Sequence, residues 1–107
     1  MKNIEMIQKL SVLHCVYQLI ASADGTIDEE RDQPAIALAL SELGITSVYS
    51  WDSALQLSPY DCFIHLAGLN DSDKQLFRNL LLRITEMGGN TFLRTTCANH
   101  LFQLCQV

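Results

Sequence analysis

Basic residues are scarce and scattered in this chain: seven Lys and Arg stand against twelve Asp and Glu among 107 residues, for a formal net charge of −5. That balance argues against nucleic acid as the main partner, because affinity for a phosphate backbone comes from clustered Lys and Arg. Long apolar runs are missing as well. No stretch approaches the ~18 consecutive apolar residues that a spanning helix needs, and Met1-Lys2-Asn3-Ile4-Glu5 meets a carboxylate before an export-signal run could build. These features predict a cytoplasmic protein that does not span a membrane. None of the four cysteines, Cys15, Cys62, Cys97 and Cys105, falls in a C-x-x-C pair, so reduced thiols are expected rather than a disulfide framework. A phosphate-cradling glycine loop is also lacking, since Gly88-Gly89 reads as a helix stop.

Hydrophobic residues, by contrast, make up 49% of the chain, too many for a disordered segment. A chain of this length buries over ~60% of its unfolded surface, so residues 1–107 are expected to form one domain with a core of its own.

Periodicity predicts helices throughout. Met6, Leu10, Leu13, Tyr17 and Ile20 recur at steps of three and four and predict an amphipathic helix over residues 2–23, stopped by Gly25. Asp28 is placed as the cap of a second helix, with Glu29 and Glu30 meeting the positive end of its dipole. Ile36, Ala39, Leu40 and Leu43 would face inward, and Gly44 would end it. Pro34 lies inside this helix and predicts either a kink or an irregular first turn. Residues 45–50 read as a connector, 51–57 as a short helix capped by Ser50, and Ser58-Pro59 as the start of a fourth helix carrying Cys62, Phe63, Leu66 and Leu69. A fifth follows over 74–87 with Leu76, Phe77, Leu80, Leu81 and Ile84 on one side. Asn90 or Thr91 caps a last helix whose stripe is Leu93, Cys97, Leu101 and Leu104. The expected class is all-α, about six helices built from hairpins. A loose pseudo-repeat pairs the polar turn at 24–31 with that at 69–76, although Asn70-Asp71-Ser72-Asp73 has no glycine.

The most informative stretch is Ala21-Ser22-Ala23-Asp24-Gly25-Thr26-Ile27-Asp28-Glu29-Glu30-Arg31-Asp32, with five carboxylates within nine residues at a helix junction. Carboxylates and backbone carbonyls in a tight glycine turn suit a hard cation such as Ca²⁺, Mg²⁺ or Mn²⁺. An EF-hand is excluded on register: with Gly25 at the sixth position, the first falls on Ile20 and the twelfth on Arg31, where the motif needs carboxylates. The expected metal ligands are Asp24, Asp28 and Glu30, converging on one side of the junction, with Glu29 and Asp32 directed into solvent. Two other accounts of the same residues stay open, a purely structural capped turn and a charged docking surface for a protein partner.

The string Ala23-Asp24-Gly25-Thr26-Ile27-Asp28-Glu29-Glu30, closing one long helix and entering another, resembles the signature of the tellurite-resistance TerB-like domains: an apolar helix, Ala-Asp-Gly, two residues, and an acidic cluster ending in a helix-borne Glu. The resemblance implies a small, all-helical bacterial domain linked to stress response and tellurite resistance, without an established catalytic reaction, whose acidic residues are candidates for binding metal. Asp24 and Glu30 match the family's acidic positions best, and Asp28 next.

Catalytic constellations are thin. His14 and Cys15 are neighbours on a helix and diverge by ~100°, so His14 is expected at the edge of the core, and His65 and His100 have no acid at helical spacing. Cys97 and His100 share a helical face, but a zinc site would need further thiols and histidines from other helices. Tyr49, Trp51 and Tyr60 either hold the middle of the chain against the core or mark an interface. The expected function is a non-enzymatic accessory or interaction domain, with a small metal- or thiol-dependent enzyme as the alternative.

Overall fold

A computed structural model describes residues 1–47 and 49–107. Among the described residues six helices follow one another: α1 Met6–Asp24, α2 Glu29–Leu43, α3 Tyr49–Leu55, α4 Pro59–Ala67, α5 Asp71–Thr85 and α6 Thr91–Cys105. No strand occurs among the described residues. Of the connector expected at 45–50, Val48 lies outside the described residues. Among the described residues no helix is long and apolar enough to cross a membrane.

α1 is the axis of the molecule and packs against each of the other five helices. Its sequence explains this role. Every residue from Ser11 to Val16 is buried, so the helix is enclosed on all sides at mid-length, as expected of a helix in the middle of a core rather than on its surface. Two polar side chains fall in this run: the Ser11 hydroxyl donates to the Ile7 carbonyl at 2.7 Å, and His14, 5% exposed, donates from Nδ1 to the Ala54 carbonyl at 2.9 Å while its Nε2 is buried without a hydrogen-bond partner. His14, expected at the edge of the core, thus lies inside it.

The helix boundaries follow local chemistry. Gly25 ends α1 at φ 85°, a left-handed conformation that glycine adopts at little cost. Asp28 caps α2 by accepting from the Arg31 N–H, Asn70 caps α5 through the Asp73 N–H, and Asn90 caps α6 through the Leu93 N–H. Pro59 stands in the first turn of α4. Pro34 is contained within α2, which runs on as a single helix. α3 starts two residues earlier than expected, and α5 starts at Asp71 and ends at Thr85, so Gly88 and Gly89 are not its stop signal. The buried face of α6 also differs. It is formed by Arg94, Ala98, Leu101, Phe102 and Cys105, while Leu93 and Leu104 are 42% and 41% exposed.

Candidate functional site

The acidic junction lies between the end of α1 and the start of α2, and the structure divides its five carboxylates into two groups. Asp24 and Asp32 turn inward, with side chains only 3% and 0% exposed. Asp28, Glu29 and Glu30 are exposed. The inward pair is neutralised by two arginines, of which the decisive one, Arg94, comes from the fourth residue of α6 and has a side chain with no solvent exposure.

All of the donor capacity of Arg94 is used. Nε donates to Asp24 Oδ2 at 2.8 Å, and Nη2 reaches both that same oxygen and Asp32 Oδ1, the latter at 2.9 Å. Nη1 donates to the carbonyls of Ile84 and Met87, at 3.1 and 3.3 Å, at the C-terminal end of α5. The guanidinium thus makes five hydrogen bonds to four acceptor atoms, Asp24 Oδ2 taking two of them, so that its burial leaves no nitrogen unpartnered. Arg31 completes the cluster: Nε and Nη2 grip the two oxygens of Asp32 at 2.9 and 2.7 Å, and Nη2 also holds the Thr26 carbonyl at 2.8 Å. Asp32 further accepts the Asp28 N–H at 2.7 Å, and Asp24 accepts the Asn90 N–H at 3.0 Å.

Two carboxylates and two guanidiniums give a cluster with no net charge. Burial alone would push the Asp32 carboxyl up, but hydrogen bonds from Arg31, the Asp28 N–H and Arg94 outweigh it and hold the group down to about 2. The same competition holds Asp24 below the usual carboxylate range: burial opposes ionisation, while Arg94 and the Asn90 N–H favour it more strongly. Hydrogen bonding to Asp32 raises the Arg31 pKa further.

Gly89 closes over this cluster. Its φ is +67°, and a Cβ there would lie 2.5 Å from Asp24 Oδ2 and 2.6 Å from Arg94 Nε. Only glycine fits such a space. Gly88 beside it would place a Cβ 3.1 Å from Arg31 Cγ. The two glycines are therefore the cover of the paired charges.

The expected metal ligands Asp24, Asp28 and Glu30 are not brought together, which corrects the convergence inferred from the turn. Asp24 is committed to Arg94, the Asp28 carboxylate caps α2, and Glu30 is exposed at the edge of a groove. Asp32, expected in solvent, is the most buried carboxylate of the five. The residues present do not fit a divalent cation, because the guanidinium of Arg94 already supplies positive charge between Asp24 and Asp32. Among the described residues no three His, Cys, Asp or Glu side chains are grouped so as to hold a metal ion.

Arg94 and Asp32 were not among the residues the sequence pointed to, although each carries a signal. Asp32 is in step with Ala35, Ala39 and Leu43, and Arg94 with Ala98, Leu101, Phe102 and Cys105, all on buried faces. A charge in step with a core stripe on each of two helices is the pattern of an internal ion pair.

The thiols are free, and Cys15, Cys62 and Cys105 are buried. Hydrogen bonding to Cys105 and burial push the Cys15 thiol well up, and burial raises Cys62, so neither thiol is activated as a nucleophile. Cys97 is half-buried and shares a pocket of about 380 Å³ between α1 and α6 with His100 and Gln18.

Glu29 and Glu30 form one edge of a groove of about 720 Å³ between α2 and α3, with Ile27, Ile36, Leu40 and Trp51 as its apolar lining. Neither glutamate takes part in an ion pair among the described residues. Trp51 packs edge-on against Tyr17, ring centroids 6.3 Å apart, while Tyr49 and Tyr60 are 75% and 71% exposed. The three aromatics thus divide: Trp51 joins the core and lines the groove, and the tyrosines face outward. Compared with family models, curated proteins and solved structures, the chain matches none.

Proposed function

We propose that the chain is a non-enzymatic accessory domain of TerB-like kind that serves stress response, as in tellurite resistance, by binding a protein partner through the acidic face of α2. The observation that carries this proposal is the division of the carboxylates. Asp24 and Asp32 are consumed by Arg94 and Arg31 and hold α1, α2 and α6 together, whereas Glu29 and Glu30, on the rim of an apolar groove, have no ion-pair partner among the described residues. The inner pair fixes the orientation of α2, and the outer pair is what α2 then presents. A divalent cation is no part of this proposal, because Arg94 occupies the place between the inner carboxylates.

Site-specific photocrosslinking in cells tests the proposal. A benzophenone side chain at Gln33, exposed on α2, is expected to give a discrete protein adduct, and the same group at Asn99, exposed on α6, is not. No adduct from position 33, or the same adducts from both, contradicts the proposal. A cation arm is independent. A native-state site filled to about a hundred times its Kd would add about 2.7 kcal/mol, roughly ten degrees in Tm, and the expected shift in millimolar Ca²⁺, Mg²⁺ or Mn²⁺ is none.

A further inference from the structure

We infer that the α2–α3 groove receives a basic amphipathic helix, contributed by the partner, with its apolar face on Trp51 and its lysines or arginines against Glu29 and Glu30. The inference rests on the reading of α2 as a partner-binding face and specifies the chemistry of what binds there.

Three features of the groove select this occupant. Its apolar lining suits a helix: Ile36 and Leu40, four residues apart on one face of α2, and Trp51 of α3 line it together. An incoming helix with apolar residues at i, i+3 or i+4, and i+7 fits such a trough. Its charge is one-sided. Glu29 and Glu30 are exposed and have no ion-pair partner among the described residues, so a cationic ligand meets carboxylates that give up no existing pair. An acidic ligand would add to a net charge of −5. Lastly, α2 is held in place by Asp32, gripped by Arg31 and Arg94 at its first turns. A fixed wall reduces the ordering that association must supply.

The chain's single tryptophan is Trp51, so its fluorescence reports on the groove directly. The probe is a synthetic peptide of about 15 residues with leucines at helical spacing and lysines elsewhere, beside a counterpart in which every lysine is glutamate. The lysine peptide is expected to shift the Trp51 emission to the blue and saturate, and the glutamate peptide to leave it unchanged. Glu29→Lys/Glu30→Lys is expected to weaken the lysine peptide at least tenfold. Asp61→Lys/Glu86→Lys, two exposed positions away from the groove with the same change in net charge, is expected to bind like the native chain. Circular dichroism of both variants checks that they stay helical. No emission change with the lysine peptide, an equal response to the glutamate peptide, or equal weakening by the two double variants overturns the inference. A discrete adduct at position 33 combined with failure of the lysine peptide would leave the partner-binding face standing and reject only its basic ligand.

Discussion

A guanidinium with no solvent exposure is tolerated in a protein interior only when its N–H groups find acceptors, and Arg94 satisfies this with two carboxylates and two backbone carbonyls. Removing it leaves Asp24 with only the Asn90 N–H and a longer contact to Arg31, and buries two carboxylates with one close cation between them. Arg94→Met should therefore cost about 3 to 5 kcal/mol, a large part of the ~5 to 15 kcal/mol that holds a domain together. Urea unfolding followed by circular dichroism measures it, and a loss below about 1 kcal/mol would show the ion pairs to be dispensable. Gly89→Ala should also destabilise, because the methyl group must displace Asp24 or Arg94 and the backbone is left-handed there. Its Tm should fall, whereas Gly25→Ala, with nothing within 4 Å of the added carbon, should show the backbone penalty alone, about 1 to 2 kcal/mol. The carboxylates set the acid response. Asp32 is lowered to about 2 and Asp24 is lowered too, so the unfolded chain binds protons more readily than the folded one. Their contribution is complete above about pH 4 and is lost as the pH falls toward 2. The urea midpoint should drop across that window, and Asp32→Asn should flatten the drop.

At the level of the helices, what was legible in the sequence was what short-range chemistry decides. Asp28, Ser58-Pro59 and Gly25 mark starts and stops that the structure keeps, because a cap, a first-turn proline and a left-handed glycine act on atoms within four residues. The rotation of α6 was not legible in the same way. Leu93, Cys97, Leu101 and Leu104 look more apolar than Arg94, Ala98, Phe102 and Cys105, and Arg94 turns inward because α1, α2 and the end of α5 offer it acceptors. Gly88-Gly89 misled for a related reason: it looks like a helix stop, yet α5 ends at Thr85 and the glycines instead lie against arginine side chains. Pro34 gives a prediction at this scale. It sits inside α2, where its missing N–H deprives the Glu30 carbonyl of a helical donor. Pro34→Ala should stabilise the domain by about 1 to 2 kcal/mol after the added freedom of the unfolded chain is counted, raising Tm by several degrees. An unchanged or lower Tm would mean that the proline is compensated by packing.

Across the whole molecule, the Asp24–Arg94 and Asp32–Arg94 pairs join residues 70 and 62 positions apart, and together with the carbonyls of Ile84 and Met87 they tie four of the six helices at one point. A turn read alone shows five carboxylates and invites a cation from solution. The folded chain delivers that positive charge from its own last helix; Asp32 and Arg94 each stand in step with a buried face of their helix, but which charge meets which is decided only when the helices pack around α1. The all-α class and the helical order were legible, since each follows from periodicity; the occupant of the acidic junction was not, since it depends on a long-range pairing. The outward glutamates and the groove they edge follow from the same arrangement, because α2 can present Glu29 and Glu30 only while Asp32 anchors its first turns. The most direct measurement is a double-mutant cycle on Asp24 and Arg94, with Asp24→Asn, Arg94→Gln and the double variant unfolded in urea at pH 7. An internal ion pair predicts a coupling energy of at least about 1.5 kcal/mol, with the double variant losing much less than the sum of the single losses. Losses that add to within about 0.5 kcal/mol would contradict the pairing.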